Sequence, residues 1–198
     1  ATIFLFTMIT PLSYTSKFFY RHAAKPILFR MQPDGVHNGM LAFCKVIQKP
    51  RVMRAIMSGT LAYKNPDILE QTIHGVTFHN PIGISAGFDK NIEMLPTLRA
   101  IGCGLMEGGT VTNLPSDGNP RPWFHRLPQT QALVVHAGLP NHGLDTILPL
   151  VKRIPAHVRG DFPLNISTAP SNVPSIKTKK KMIGDCVKGL KKIKKSGV

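Results

Sequence analysis

Glycines, a serine and a lysine follow one short apolar run, in an order that suits the binding of a flat ligand. Residues 80–90 read N-P-I-G-I-S-A-G-F-D-K, and Ile82 and Ile84 predict a short buried strand. The S-A-G that follows has little side-chain bulk, so a flat ligand could lie close to the backbone. Lys90 adds a cation at this strand end, where α/β proteins place their chemistry. The alternative is an ordinary strand-to-helix turn with a surface lysine.

Two further polar segments follow within 40 residues. The motif G-G-T-V-T at 108–112 closes a second predicted strand, and the Thr110 hydroxyl and nearby amides could hold a ring carbonyl or nitrogen. The motif G-N-P-R-P at 118–122 lies in a segment, 113–128, that is rich in Pro, Gly and Asn. Such a segment predicts either a lid with substrate contacts or a surface loop with a structural Trp123.

Strand and helix patterns alternate from Ile82 onward, which predicts right-handed parallel units. We expect strands at 105–109, 132–135 and 162–167, and a first barrel helix at 93–101. Residues 71–78 predict a hairpin that turns at His74 and Gly75 and covers the bottom of a barrel. The pattern predicts a final helix whose inward stripe is Met182, Cys186, Leu190 and Ile193. Four such units are half of an eight-fold barrel, which needs about 250 residues.

Residues 12–57 have a helical pattern. An apolar face begins at Tyr14, Phe18 and Phe19, and a second recurs at helical spacing from Val36 to Ile47. Because basic residues flank these faces, the two helices could lie flat on a membrane surface. The alternative is a helical cap that packs on its own core.

The composition of the 198 residues is that of a globular chain, with 42% hydrophobic residues and a net charge of +15. Nine lysines and one acidic residue lie in residues 171–198, which predicts a solvated helix face or, as an alternative, a site for anionic partners. Three separated cysteines indicate neither a disulfide framework nor a metal site. No apolar run reaches the roughly 18 residues of a membrane-spanning helix.

Residues 80–126, which contain A-G-F-D-K, G-G-T-V-T and G-N-P-R-P in this order, closely resemble dihydroorotate dehydrogenase. The resemblance implies a TIM-type (β/α) barrel, of which this chain would hold about the first half, and the oxidation of dihydroorotate to orotate with FMN. Phe19-Tyr20-Arg21, residues 26–30 and residues 32–37 resemble the amino-terminal extension of the quinone-linked, membrane-associated class. In that class the extension forms a tunnel for quinone, so we expect an extension at 1–62 and barrel at 63–198.

The resemblance also assigns roles to single residues. The flavin segment of the family matches Ala86, Gly87, Phe88, Asp89 and Lys90, with further flavin contacts at Thr110 and Asn165. Lys90 also matches the residue that reaches the substrate carboxylate. The substrate-gripping segment falls on Val135, His136, Ala137, Gly138 and Leu139, where Val135 replaces an amide and Leu139 an aromatic residue. The family's base is a serine in N-x-S-S-P-N, which no segment reproduces; Ser171-Asn172 echoes it faintly.

We therefore expect a truncated or incomplete dihydroorotate dehydrogenase with low activity and no resident metal. Its expected location is peripheral, at the cytoplasmic face of a bacterial membrane or at the mitochondrial inner membrane. The alternative is a non-catalytic protein derived from the family that binds anionic membrane or nucleic acid through its lysine-rich end. Specific nucleic-acid recognition is not expected, because residues 171–198 contain no aromatic side chain for base stacking.

Overall fold

The computed structural model describes Thr15, residues 17–62 and residues 66–198. The predicted start of the first helix at Leu12 and Tyr14 lies outside the described residues, and the expected boundary between 62 and 63 adjoins a gap in them. Within the described residues, no helix combines the length and the apolar character that crossing a membrane requires.

The amino-terminal part is helical, as its apolar periodicity predicts. A π-helical turn, Tyr20–Ala24, runs into α1 (Lys25–Arg30), and α2 (Pro33–Ile47), α3 (Arg51–Thr60) and α4 (Pro66–Leu69) follow. The two longer helices begin beside a proline, Pro33 in α2 and Pro50 before α3, where the fixed φ of the ring favours a helix start. Several large apolar side chains of this part are solvent-exposed, among them Phe18, Phe19, Ile27, Phe43, Val46 and Val52.

The predicted hairpin is confirmed. Strands β1 (Gln71–Ile73) and β2 (Val76–Phe78) pair antiparallel around His74 and Gly75, which both have positive φ. Such a turn matches the twist of the two strands.

A three-stranded parallel sheet forms the centre of the second part. It contains β3 (Gly83–Ile84), β4 (Leu105–Thr112) and β7 (Leu164–Ala169), in the order β3-β4-β7. The helices α5 (Leu95–Ala100), α6 (Leu144–Lys152), α7 (Ala156–Arg159) and α8 (Lys179–Ser196) complete this part. The fold is therefore a partial α/β fold with a parallel sheet.

The expectation that residues 132–135 form a strand of the parallel sheet is wrong. They form β6 (Ala132–Val135), which pairs antiparallel with β5 (Phe124–Leu127) in a separate hairpin. The physical reason is the short 128–131 turn, which brings two extended segments together locally before a crossover helix could intervene.

Apolar side chains on one face of the parallel sheet pack against the helices. Met106 and Val111 of β4 are completely buried together with Leu95, Leu98, Leu144, Ile147 and Val151. The predicted inward stripe of α8 is wrong at two positions, because Met182 and Leu190 are exposed. The buried positions of α8 are instead Asp185 and Gly189.

Candidate functional site

Two backbone hydrogen bonds join the loop after β3 to the carboxyl end of β4. The Gly87 N–H donates to the Gly109 carbonyl at 2.6 Å, and the Gly109 N–H donates to the Asp89 carbonyl at 3.0 Å. Because neighbouring parallel strands end at the same edge of a sheet, the two predicted segments meet there. Residues 85–90 and Thr110, which the sequence places 20 residues apart, are thus parts of one surface.

Gly87 leaves this surface open. Its φ is +106°, a conformation that side chains with a Cβ rarely adopt, and a Cβ built there would meet no atom within 4 Å. Glycine is therefore required by the backbone, and the space beside it is not filled by packing. A planar ligand could approach the main chain at this point.

Lys90 is half-buried beside the same loop. Its ammonium donates to the Gly87 carbonyl at 2.9 Å and lies 5.4 Å and 5.8 Å from the ring centroids of Phe124 and Trp123. Burial lowers the pKa of Lys90, and the nearby Arg121 lowers it further. The structure thus gives Lys90 a defined position, although it makes no hydrogen bond to Thr110 or Asn165 within the described residues.

Asp89 points in the opposite direction. Its side chain is 1% exposed, and Oδ2 accepts a hydrogen bond from the Met94 N–H at 2.6 Å. Burial raises the pKa of this carboxyl, and Oδ1 has no hydrogen-bond partner among the described residues. The carboxylate of Asp89 therefore fixes the turn into α5 and does not reach the open surface.

Polar side chains line the face of the parallel sheet that lies opposite the core. Glu107 of β4 pairs in register with Asn165 of β7, and Asn165 donates to Glu107 Oε1 at 3.3 Å. Further along, the Thr110 and Ser167 hydroxyls are 3.3 Å apart. The sequence places Asn165 near the end of its strand, but the structure makes it the second residue of β7, so the hydroxyl beside Thr110 belongs to Ser167.

The segment from Val135 to Leu139 leaves the β5–β6 hairpin and turns back beneath the 118–122 loop. The His136 N–H donates to the Trp123 carbonyl, and Asn119 donates to the carbonyls of His136 and Ala137. Gly138 and Leu139 have φ values of 70° and 59°. The side chain of Val135 is exposed and offers no hydrogen-bonding group.

The amino-terminal helices reach this site through His37 of α2. Its imidazole packs edge-on against Phe88 at 5.4 Å between ring centroids and contacts Phe124 at 5.2 Å. Burial lowers the pKa of His37, and the positive charge of Lys90 lowers it further. A cleft of about 990 Å³ adjoins these rings and is lined in part by His37, Lys90, Trp123 and His142.

Asp34 anchors α2 to the segment before β5. It is buried, and its carboxylate accepts hydrogen bonds from Arg121 Nη1 at 2.9 Å and from the N–H groups of Trp123 and Phe124. Arg126 adds a second link, since it donates to the carbonyls of Phe29 and Met31. The helical part is thus fixed directly beside residues 85–90.

One protein family, described as Dihydroorotate dehydrogenase, has a sequence profile that matches residues 68–196 of this chain. The chain belongs to the dihydroorotate dehydrogenase family. The matched range contains both strand ends that form the surface around Gly87, and it contains the whole parallel sheet.

Similar members of the family carry the name dihydroorotate dehydrogenase (quinone). The protein of Mycobacterium sp. (strain KMS) is 36% identical over 146 residues, which are 74% of this chain and 40% of the relative. The protein of Chloroflexus aurantiacus is 34% identical over 158 residues, 78% of this chain and 42% of the relative. This chain therefore spans about 40% of the length of these relatives.

Solved structures of the family have a similar fold. The crystal structure of DHODH from Eimeria tenella in complex with ferulenol superposes with a TM-score of 0.63 at 29% identity, over 79% of this chain and 40% of that one. The ligand-free structure from the same organism gives a TM-score of 0.62 at 28% identity.

Sequence reasoning within the dihydroorotate dehydrogenase family missed two features of the site. Ser167 stands where the family motif has a glycine, so its pairing with Thr110 had no counterpart in the pattern. Asp34 was assigned only to the extension, yet it forms the buried anchor to Trp123 and Phe124. Ser171 has a structural role, because its hydroxyl donates to Asp185 at 2.7 Å and accepts from the Leu114 N–H.

Proposed function

We propose that this chain is the amino-terminal part of a quinone-linked dihydroorotate dehydrogenase. The whole enzyme would oxidise dihydroorotate to orotate with FMN and pass the electrons to a membrane quinone. Residues 1–62 would be the extension and residues 63–198 the first half of a (β/α)8 barrel. The main support for the proposal is the contact between His37 of the extension and Phe88. Phe88 lies in the same loop as Gly87, which has open space beside it, and Lys90, whose ammonium donates to the Gly87 carbonyl.

The residues present fit FMN on the side of the site that they form. The empty space at the Cβ position of Gly87 and the lack of bulky side chains at Ser85 and Ala86 suit a flat ring against the backbone. Thr110 would contribute its hydroxyl, and Asn165 would act from the same polar face of the sheet. Bound FMN would supply the two-electron redox chemistry that couples dihydroorotate to the quinone.

Lys90 would hold negative charge at the centre of this site. Its partial burial strengthens any charge interaction that it makes, because less water screens the ammonium. The carbonyl of Gly87 fixes the ammonium close to the open surface, where it would meet either the ring or the substrate carboxylate. The Phe124 and Trp123 rings beside it restrict its other directions.

Substrate recognition would be weaker than in typical members of the family. Val135 lacks the amide that the family uses on the pyrimidine ring, and a site loses discrimination steeply when a hydrogen-bonding partner becomes apolar. Ser171 is held by Asp185 and by the Leu114 N–H, so it is a poor substitute for the base serine. We therefore assign the proton-removing group to no residue of this chain.

The extension would deliver the quinone. Its helices α2 and α3 have exposed apolar side chains, among them Phe43, Val46 and Val52, which would be in contact with lipid. The cleft is lined by α2, including His37 and Val46, and by Lys90 at the end of the Gly87 loop. This arrangement supports a peripheral membrane location with the quinone path between α2 and Trp123.

Titration of the purified chain with FMN tests the proposal. We expect binding, seen as a change in flavin fluorescence and absorbance, and little oxidation of dihydroorotate with a soluble quinone. Lys152→Gln serves as a control, because this lysine is exposed at the end of α6 and is not among the residues that line the cleft. A folded chain that does not bind FMN, even at the highest soluble concentration, would contradict the proposal.

A further inference from the structure

Helix α8 carries a strong positive charge that the protein itself does not neutralise. It begins after Thr178, whose hydroxyl accepts a hydrogen bond from the Lys181 N–H, and ends at Ser196. Of the nine lysines in residues 171–198, Lys192 alone forms an ion pair with a described residue, at 2.7 Å from Asp145. The other eight are exposed and form no ion pair in the described part of the chain, although the charge of Lys188 helps to lower the pKa of Asp185.

The single acidic residue of α8 does not offset this charge at the surface. Asp185 is 5% exposed and accepts hydrogen bonds from the Ser171 N–H, the Ser171 hydroxyl and Asn113 Nδ2. Its carboxylate therefore faces the interior, and the charged side chains on the outer surface of α8 are all lysines.

An apolar stripe lies on the outer surface of the same helix. Ile183, Val187 and Leu190 are 57%, 43% and 54% exposed, and their spacing of four and three residues puts them on one side. Lys191 and Lys194 adjoin the stripe in the last turns. A helix needs no such stripe for solubility, since exposed positions favour polar side chains.

We propose that α8 binds an anionic lipid surface through this stripe and its lysines. Basic amphipathic helices lie in the interface of a membrane with the apolar side in the acyl boundary and the lysines at the headgroups. Nucleic acid is the weaker candidate, because α8 has no aromatic side chain to stack on bases. This site is additional to the amino-terminal extension, and it holds whether or not the proposed activity is present.

A tryptophan placed on the stripe gives a local readout of insertion. In Val187→Trp, we expect the emission to shift to the blue when vesicles of phosphatidylcholine with about a third phosphatidylserine are added. Vesicles of phosphatidylcholine alone should give no shift. The wild type is the reference, because its emission arises from Trp123 alone; a shift seen only in Val187→Trp therefore arises in α8 and distinguishes this contact from binding by Phe18 and Phe19 of the extension.

Two variants separate charge from apolar contact. Lys191→Gln with Lys194→Gln should weaken sedimentation with the anionic vesicles about tenfold at low salt, because each lysine near the surface contributes. The matched control Lys152→Gln with Arg153→Gln removes two exposed charges at the end of α6 and should change binding little. Ile183→Ser with Leu190→Ser should abolish the shift seen with Val187→Trp, while circular dichroism confirms that the helix is retained.

Three results would overturn the proposal. The first is an unchanged Val187→Trp spectrum in the presence of bound anionic vesicles, which would assign binding to the extension. The second is tighter binding to single-stranded RNA than to vesicles. The third is a dimer in sedimentation equilibrium that Ile183→Ser with Leu190→Ser dissociates, which would assign the stripe to a second copy of the chain.

Discussion

The Asp34 carboxylate accepts a hydrogen bond from Arg121, with 2.9 Å between Oδ1 and Nη1, although the two residues are 87 positions apart in the sequence. The same carboxylate also accepts hydrogen bonds from the N–H groups of Trp123 and Phe124, so one buried side chain holds three groups between residue 121 and the first residue of β5. Because Phe124 and Trp123 border Lys90, Asp34 positions the surroundings of the candidate cation without contacting it.

Replacing Asp34 with asparagine should loosen α2 from the β5 hairpin. The asparagine amide keeps one oxygen that can accept, but its NH2 group faces the hydrogen-bond donors of residues 121, 123 and 124. We therefore expect a loss of about 2 kcal/mol in the free energy of unfolding. Urea unfolding at neutral pH measures the loss, and Asp117→Asn in the exposed neighbouring loop is the control. Equal stability of the two variants would show that the Asp34 contacts contribute little.

Local pattern was sufficient to predict the β1–β2 hairpin, because His74 and Gly75 sit at the turn between two short strands. It failed for β6, where an apolar run has the same pattern in a hairpin as in a parallel sheet. The partner strand β5 was hidden in a segment rich in Pro and Gly. Its extended form depends on Asp34 and Arg126, which act over distances that no local pattern records.

Lys90→Met and Gly87→Ala should each weaken FMN binding, for different reasons. Lys90→Met removes the positive charge, and loss of one charge-assisted contact of about 1.4 kcal/mol corresponds to a tenfold higher Kd. Gly87→Ala forces a Cβ into a backbone with φ of +106° and into the open space beside it. Fluorescence titration with FMN measures both.

A control keeps these two results interpretable. Gly184→Ala lies in α8, where a Cβ meets no atom within 4 Å and the helix gains from alanine, so it should leave FMN affinity unchanged. If Gly87→Ala unfolds the chain, the FMN affinity of Lys90→Met alone tests the proposed site. Wild-type affinity in a folded Lys90→Met variant would contradict the assigned role.

The candidate site was predictable where its residues are adjacent in sequence. Gly87 and Lys90 lie within four residues, so their types alone indicate an open turn with a cation. The sequence places Asn165 too near the end of its strand, because β7 begins at Leu164, two residues later than the predicted strand at 162–167. The register of β7 against β4 then shifts between Gly108 and Val111, so that Ser167 and not Thr168 lies beside Thr110, and only the structure shows this.

His79 should make stability depend on pH near neutrality. Its ring nitrogens lie 2.7 Å from Glu70 Oε2 and 3.1 Å from Asp161 Oδ2. The hydrogen bond to Glu70 raises the pKa of His79 against the opposing effect of burial, and Asp161 raises it further. The stabilisation is therefore present below the unfolded pKa of about 6.5 and is lost as pH rises through the higher folded value.

The Tm of wild type and of His79→Gln at several pH values checks this expectation. The wild type should lose more stability than the variant between about pH 6 and 8, by less than about 1 kcal/mol because the pair is half-exposed. His125→Gln, at an exposed position of β5, is the control and should follow the wild type. Parallel curves for wild type and His79→Gln would contradict the assigned bridge.

Asp185, within α8, should contribute more to stability than Asp145, which lies in α6 and pairs with Lys192 of α8. Asp185 is buried and accepts three hydrogen bonds, two from Ser171 and one from Asn113, whereas Asp145 is exposed and pairs with Lys192 alone. In Asp185→Asn, the new NH2 group faces buried donors of Ser171 or Asn113, so we expect a loss of about 2 kcal/mol in the free energy of unfolding at pH 7. Asp145→Asn should have almost no effect, because exposed ion pairs contribute little.

The contribution of Asp185 to stability should depend on pH. Burial raises the pKa of this carboxyl, but the hydrogen bonds from Ser171 and Asn113 outweigh burial and lower the pKa. The stabilisation is therefore present above the unfolded pKa of about 3.9. It is lost as pH falls through the lower folded pKa, and urea unfolding at several acidic pH values should show the wild type converging on Asp185→Asn.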